Sequence, residues 1–463
     1  MSGGQDHFRY LYLPIMIRQV LHKLRTDAGV RRYALNTGLL LGARGVQMIL
    51  ALVIGALMAR YLGPAQYGIY NYVISFTGLF VAISMLGVGT IMVKDMLDKP
   101  ETTYTVMGTG LWLRLAGSLL AILLVMLTGW FSEDSAEIRW FFVIASLPPI
   151  IKSFEVLTYY FQAKVLSKYS VIAQMTALCI VSALKVVFIQ TGMGLDWFFY
   201  VMLLDATIIT LITLVEYRML KQEILHWKYD AAYAKQLLRA SWPLIFSGFM
   251  VTIYLKIDQV MINTMLDETA TGLYAAAVKL SEAWVSIPWI IGASLYPALV
   301  NAFKEDSERF SNRITQTYIL QISVAMAIVV PVVLLAKPVT LFIFGEAYAA
   351  SAVALQLHIG SLLFIFLGSV ANRWLIIEGI QKYWMINSVI GAISNILLNL
   401  ILIPAMGING AALATLLSYA FAYHFAYAIP PTTRKVFHTQ NRNFMRVCLV
   451  LPALRIMKKI KSR

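Results

Sequence analysis

The chain carries twelve apolar runs of about 20 residues or more, and that feature fixes the class of fold open to it. They lie at roughly 35–59, 68–93, 106–130, 138–163, 169–190, 197–217, 240–265, 271–302, 314–337, 351–377, 383–405 and 409–430. A run of this length crosses the hydrocarbon layer as a helix, which pairs every backbone N–H and C=O within itself. Only 13% of the residues are charged, against about a quarter in a soluble domain. The expectation is an all-α polytopic membrane protein with about 12 transmembrane helices.

The basic excess reports orientation rather than nucleic-acid binding. With the N-terminus placed in the cytoplasm and the spans alternating, 28 of the 38 Lys and Arg fall on the cytoplasmic side. The opposite side holds only Arg60, Arg139 and Lys337. That asymmetry is the positive-inside rule. Both termini are therefore expected in the cytoplasm, and the acidic Glu133–Asp134 and Asp267–Glu268 pairs on the far side. The N-terminus does not read as a cleavable signal peptide, because Arg9 and Arg18 interrupt its apolar run.

A faint internal repeat divides the chain. LGPAQYGIYNY at 62–72 follows the first span, and LDETATGLYAA at 266–276 follows the seventh. Leu62, Gly68 and Tyr70 answer to Leu266, Gly272 and Tyr274, each 204 positions on. Six spans separate the copies, so both halves enter the membrane in the same direction. This predicts two six-helix bundles related by a parallel pseudo-two-fold axis, a recurrent transporter plan with its site between the halves. The organisation expected is a basic arm at 1–33, a bundle at 34–217, a basic cytoplasmic linker at 218–239 with a helical pattern, a second bundle at 240–430 and a basic tail at 431–463. The arm has an apolar face that suits the headgroup layer, or serves as an orientation signal.

Catalytic motifs are missing from the sequence. There is no G-x-x-x-x-G-K, H-E-x-x-H or G-x-S-x-G, and the six histidines have no metal spacing. Cys179 and Cys448 make no disulfide framework. No catalytic residue, metal or cofactor is expected, and the short connections leave no room for the outer domain of a polysaccharide polymerase or ligase.

Charges inside the spans carry the functional signal, because each costs roughly 3 kcal/mol or more near the bilayer centre. The cations are Arg44, Arg114, Lys152, Lys185, Lys256, Lys279 and Arg373; the anions are Glu155, Asp205, Asp258 and Glu282. Lys185 and Arg373 sit near span ends, where snorkelling to water is expected. Lys152–Glu155 and Lys279–Glu282 are three apart on one helical face and can pair. The cation surplus predicts a cavity that attracts an anion. Arg44, Arg114, Lys152, Lys256 and Lys279 are the candidates to bind it. Asp258, Glu282 and Asp205 are candidates for ion coupling or for balancing the lysines. A polar stripe of Asn387, Asn395 and Asn399 on span 11 reads as helix glue.

Several stretches resemble a known family. ARYLGPAQYGIYNYVISFTGLF, SWPLIFSGFMVTIYLKIDQVMI, TGLYAAAVKLSEAWVSIPWIIGASLYPALV and NILLNLILIPAMGINGAALATLLSY are similar to spans of Wzx-type flippases, the O-antigen and exopolysaccharide exporters of the multidrug, oligosaccharidyl-lipid and polysaccharide (MOP) superfamily. The resemblance covers about residues 33 to 425. It implies a V-shaped pair of bundles, a cationic cavity and alternating access. It also implies a substrate, an undecaprenyl-pyrophosphate-linked oligosaccharide moved from the cytoplasmic to the periplasmic leaflet of a bacterial inner membrane. Membrane lipids, a polysaccharide polymerase and other assembly proteins are the implied partners, and nucleic acid is not one. The alternatives are a drug/cation antiporter of the same superfamily, which the positive interior disfavours, and a polymerase or ligase.

Overall fold

A computed structural model describes residues 28–132 and 135–450. The basic arm through residue 27, the Glu133–Asp134 pair and the tail from 451 lie outside the described residues. Those described form helices with no strand among them. In chain order the helices are α1 (Ala28–Met85), α2 (Gly89–Asp98), α3 (Thr103–Ser132), α4 (Ala136–Ser146), α5 (Pro148–Ile151), α6 (Val156–Ala163), α7 (Ser167–Thr191) and α8 (Leu195–Met219). They continue as α9 (Ala231–Met265), α10 (Glu268–Glu282), α11 (Ser286–Glu305), α12 (Ser307–Phe344), α13 (Ser351–Ile377), α14 (Lys382–Met406), α15 (Ile408–Tyr423) and α16 (Arg434–Met445).

Among the described residues, ten helical stretches are long and apolar enough to cross a membrane. The first of them holds two passes joined at Gly63, and the 16-residue α15 supplies a further one. The twelve passes group into two lobes of six, α1–α8 and α9–α15.

The repeated turn is the point where the lobes meet. In the first copy α1 breaks at Gly63, whose φ of 70° belongs to glycine, and Pro64 opens the next helical segment. In the second copy no glycine is needed. Asp267 caps α10 instead, its carboxylate accepting from Ala270 N at 2.7 Å. Gly68 and Gly272 then press together. A Cβ on Gly68 would overlap the Glu268 carbonyl, and one on Gly272 would overlap the Pro64 carbonyl. Pro64 and Glu268 are themselves 204 apart, so the contact is isologous about the pseudo-two-fold axis. A second pair obeys the same offset: Ser75 donates to Gln259 Oε1 at 2.7 Å, while Lys279 lies across Gly55.

The two ends of the molecule are packed differently. Toward Gly63 one continuous apolar core joins both lobes, with Tyr67, Tyr72 and Phe76 on one side and Tyr274, Phe344 and Tyr348 on the other. Arg60 donates to the carbonyls of Phe342 and Ile343, the orphan acceptors at the end of α12, and Tyr348 Oη donates to Ala59 O at 2.8 Å. Toward the linker there are two separate cores. One is built around Met92, Val156 and Tyr217, the other around Leu299, Phe310 and Trp374. The lobes are thus joined at the Gly63 end and, apart from the contact of the first half of α9 with Asp95 and Gly87, part toward the linker. Exposed Trp130, Phe131, Trp140 and Trp197 ring the Gly63 end, as an interfacial aromatic belt does.

Three spans are less regular than their apolar patterns predict. The second breaks after Met85, where Leu86 and Gly87 both take positive φ, before α2 begins. The fourth is interrupted around Pro148–Pro149, and the eighth between Glu282 and Ser286. The linker also differs from the continuous helix its pattern suggests. Lys221 turns into the left-handed region, a 3₁₀ turn covers Ile224–His226, and the Asp230 carboxylate caps α9. Its backbone docks on the first lobe, with Lys228 N donating to Tyr104 O and Asp230 N to Thr109 Oγ1. Backbone partners outside the segment thus replace the helical bonds that periodicity alone anticipates.

Candidate functional site

Three adjoining chambers follow the seam between the lobes. The wide chamber, about 800 Å³, reaches from the linker end and is lined by Arg114, Lys152, Glu155, Tyr159 and Lys256. A chamber of about 270 Å³ lies deeper, toward Gly63, and holds Lys185, Lys256, Lys279 and Glu282 beside Tyr67 and Tyr70. The third, about 320 Å³, belongs mainly to the second lobe and holds Arg44, Asp258, Glu282 and His358. Lys256 lines the first two, and Gln259 and Glu282 the last two. One turn of α9 creates this division. Lys256 faces the lysines, Tyr254 and Asp258 face the opposite chamber, and Gln259 stands between the two.

All five candidate cations line these chambers, though not equally. Arg114 is buried at 3% exposure and engaged through both terminal nitrogens: it donates to Glu155 Oε2 at 2.8 Å, Tyr159 Oη at 2.6 Å and the Lys152 carbonyl at 3.1 Å, while its Nε has no partner among the described residues. Its charge is largely neutralised where it stands. Lys152 is 48% exposed, with Asp205 beside it at 4.0 Å. The expected Lys152–Glu155 pair is therefore replaced by two cross-helix pairs, because the buried guanidinium requires a carboxylate more than the solvated ammonium does. Among the described residues, no ion pair within 4.0 Å joins Lys279 to Glu282, nor holds Lys256 or Lys185. Arg44 is exposed at the mouth of the third chamber, 3.5 Å from Gln47.

Two cations depart from the snorkelling expected of them. Lys185 lines the deep chamber with Lys256 and Lys279. Arg373 is 8% exposed and crosses to α11, where it donates to Trp289 O at 2.8 Å and stacks over the Trp289 ring. Gly292 leaves the space its guanidinium occupies. Proximity to a span end is a statement about sequence, and a neighbouring helix with open acceptors overrides it.

Asp258 is 4% exposed, and no cation lies within 4.0 Å of it among the described residues. A direct ion pair with a lysine is not how its charge is met. Its Oδ2 accepts from Tyr274 Oη at 2.7 Å and from Thr415 Oγ1, and its Oδ1 accepts from Asn399 Nδ2 at 2.6 Å. Asn399 Oδ1 and Asn395 Nδ2 stay unpartnered in the same buried cluster. His358 stands next to it, with Nδ1 2.9 Å from Ser281 Oγ. Sequence reasoning assigned the asparagines to helix packing and missed Tyr274, Thr415 and His358. No spacing signal links five separate helices.

The chain matches the family model described as polysaccharide biosynthesis protein over residues 34–303. It is 26% identical over 196 residues to the lipid II flippase MurJ of Bacillus subtilis (strain 168), a match over 38% of this chain. The chain thus spans about a third of that relative's length, 35%. Among solved structures it superposes on an inward-facing multidrug resistance MATE family transporter of the MOP superfamily with a TM-score of 0.67 at 14% identity, covering 87% of this chain and 94% of that one. On lipid II flippase MurJ in an inward closed conformation the TM-score is 0.64 at 13% identity, with 89% and 92% covered. At those identities the likeness is one of fold. Since the family model takes in more than half of the sequence, the chain belongs to the polysaccharide biosynthesis protein family, and it is a multi-pass membrane protein with the MOP-superfamily fold.

Proposed function

We propose that the protein is a flippase that carries an undecaprenyl-pyrophosphate-linked oligosaccharide from the cytoplasmic to the periplasmic leaflet of a bacterial inner membrane, for cell-surface polysaccharide assembly. The observation that carries this reading is the run of cations facing one inter-lobe seam: Lys152 and Lys256 in the wide chamber, Lys185 and Lys279 beyond it. A sugar diphosphate cannot enter hydrocarbon without partners for its charges and hydroxyls. The seam supplies them while the lipid tail stays in the bilayer and leaves between the lobes. With the termini and linker cytoplasmic, the parted end faces the leaflet where the cargo is made. Parting of the Gly63 end then releases it outward. Polymerase and other assembly proteins would receive the product.

The relation to MATE transporters and the acidic third chamber favour a second reading, drug/cation antiport. Both oxygens of Asp258 are already enclosed by Tyr274, Thr415 and Asn399. That enclosure suits a proton or a small metal cation and excludes an organic one. Asp258 is therefore assigned to ion coupling, with the cargo on the lysine side of the same helix. The membrane potential adds ~2.3 kcal/mol per charge per 100 mV to outward movement of an anion.

The test is flipping of a lipid-linked oligosaccharide in proteoliposomes with imposed proton or sodium gradients. Wild type responds to one of them. Asp258→Asn keeps the fold, and its residual flipping is indifferent to both. A wild-type protein that flips the cargo without regard to either gradient removes the coupling role. Export of a cationic drug without flipping would establish the antiporter instead.

A further inference from the structure

The pseudo-two-fold axis makes the deep chamber unusual. Gly55 and Gln259 are equivalent by the 204-residue offset, and so are Ser75 and Lys279. On one side of the axis the pair is an ordinary interhelical hydrogen bond, Ser75 Oγ to Gln259 Oε1 at 2.7 Å. On the other, the small hydroxyl is replaced by a lysine and the glutamine by a glycine. The Lys279 stem crosses the seam with its Cε 3.0 Å from the place a Gly55 Cβ would take. The glycine thus opens the path by which Lys279 reaches Lys185 on α7 and Lys256 on α9.

Three ammonium groups from three helices share this chamber with one carboxylate, Glu282, and among the described residues none of the three is held in an ion pair within 4.0 Å. Such a cluster is costly to keep in a membrane interior unless a ligand meets it. The other lining groups are those of a carbohydrate site: the rings of Tyr67 and Tyr70 and the amide of Asn71. At about 270 Å³ the space fits a single sugar residue rather than an oligosaccharide. It also lies farther from the linker end than the wide chamber, past Lys256.

We propose that Lys185, Lys256 and Lys279 form a second anion station that binds an acidic sugar residue of the cargo, while the diphosphate stays in the wide chamber with Lys152. This rests on the flippase reading, in which a lipid-linked glycan presents a diphosphate tethered to the bilayer and sugars beyond it. The order follows from the tether: the lipid tail remains in the bilayer, so the diphosphate is held nearest the lobe opening and the sugars lie deeper. Lys185 becomes a specificity residue, and Gly55 a positioning residue that acts through Lys279.

The experiment measures binding of two undecaprenyl-diphosphate trisaccharides to the full-length protein in lipid nanodiscs. One probe carries a hexuronic acid, and the other carries the matching neutral hexose. Wild type is expected to bind the acidic probe about tenfold more tightly, the scale of one charge-assisted contact. Lys185→Gln/Lys279→Gln should weaken the acidic probe about tenfold more than the neutral one and so abolish the preference, and Lys152→Gln should weaken both probes alike. Gly55→Val keeps every charge but displaces the Lys279 stem, so it should also lose the preference. Thermal unfolding of each variant checks that it is folded. Equal binding of both probes by wild type, or equal weakening of both by the double variant, overturns the station and leaves the flippase reading standing. Binding of neither probe by wild type overturns the flippase reading itself.

Discussion

Lys256→Ala should lower flipping of the lipid-linked oligosaccharide by about a hundredfold, in a protein that still folds and inserts. Lys256 is the one candidate cation that lines both the wide and the deep chamber, so the cargo depends on it before and after the diphosphate is seated. A hydrogen bond to a charged group contributes about 1.5–3 kcal/mol, which is about ten- to a hundredfold in rate. A residue used at two stages belongs at the upper end. Folding should be spared, because the ammonium has no ion-pair partner within 4.0 Å to lose among the described residues. Lys256→Arg should recover much of the rate, since a guanidinium also grips phosphate. Lys337→Ala, at an exposed position that lines none of the three chambers, should have no effect. Wild-type flipping by Lys256→Ala would remove the lysine seam from the mechanism.

Gly68→Ala should shift the protein toward the state in which the Gly63 end is parted. The added methyl overlaps the Glu268 carbonyl, and neither backbone can yield because both belong to helices in one apolar core. Overpacking of this kind costs about 1–3 kcal/mol or more. The penalty falls only on the state in which α1 and α10 touch, so the alternation equilibrium moves by that amount. Spin-label distances across the Gly63 end should lengthen and transport should slow. Gly45→Ala, in the same helix with open space around its Cβ, should leave both unchanged. If distances and transport in Gly68→Ala match wild type, the Gly68–Gly272 contact is not one that opens and closes.

The repeat was legible in the sequence because backbone contact at Gly68 and Gly272 tolerates no side chain. It was faint because the turn before each glycine is built by different chemistry, Gly63–Pro64 in one lobe and the Asp267 cap in the other. Spans were legible from length and apolarity, whereas their breaks at Leu86–Gly87 and near Ser286 were not. Intramembrane charge identified most of the seam, since such residues have few reasons to exist. Partner choice stayed hidden: Glu155 serves Arg114 rather than Lys152, and Lys185 turns inward rather than out to water. Those outcomes depend on helices far apart in the chain. Spacing along one helix carries no information about them.

The most direct measurement for the account is made in cells lacking the gene. The leaflet in which the undecaprenyl-pyrophosphate-linked intermediate collects can be read by its access to a glycan-cleaving probe added from outside. Complete repeat units should accumulate in the cytoplasmic leaflet, protected from the probe. Accumulation in the periplasmic leaflet, or no accumulation at all, would contradict the account.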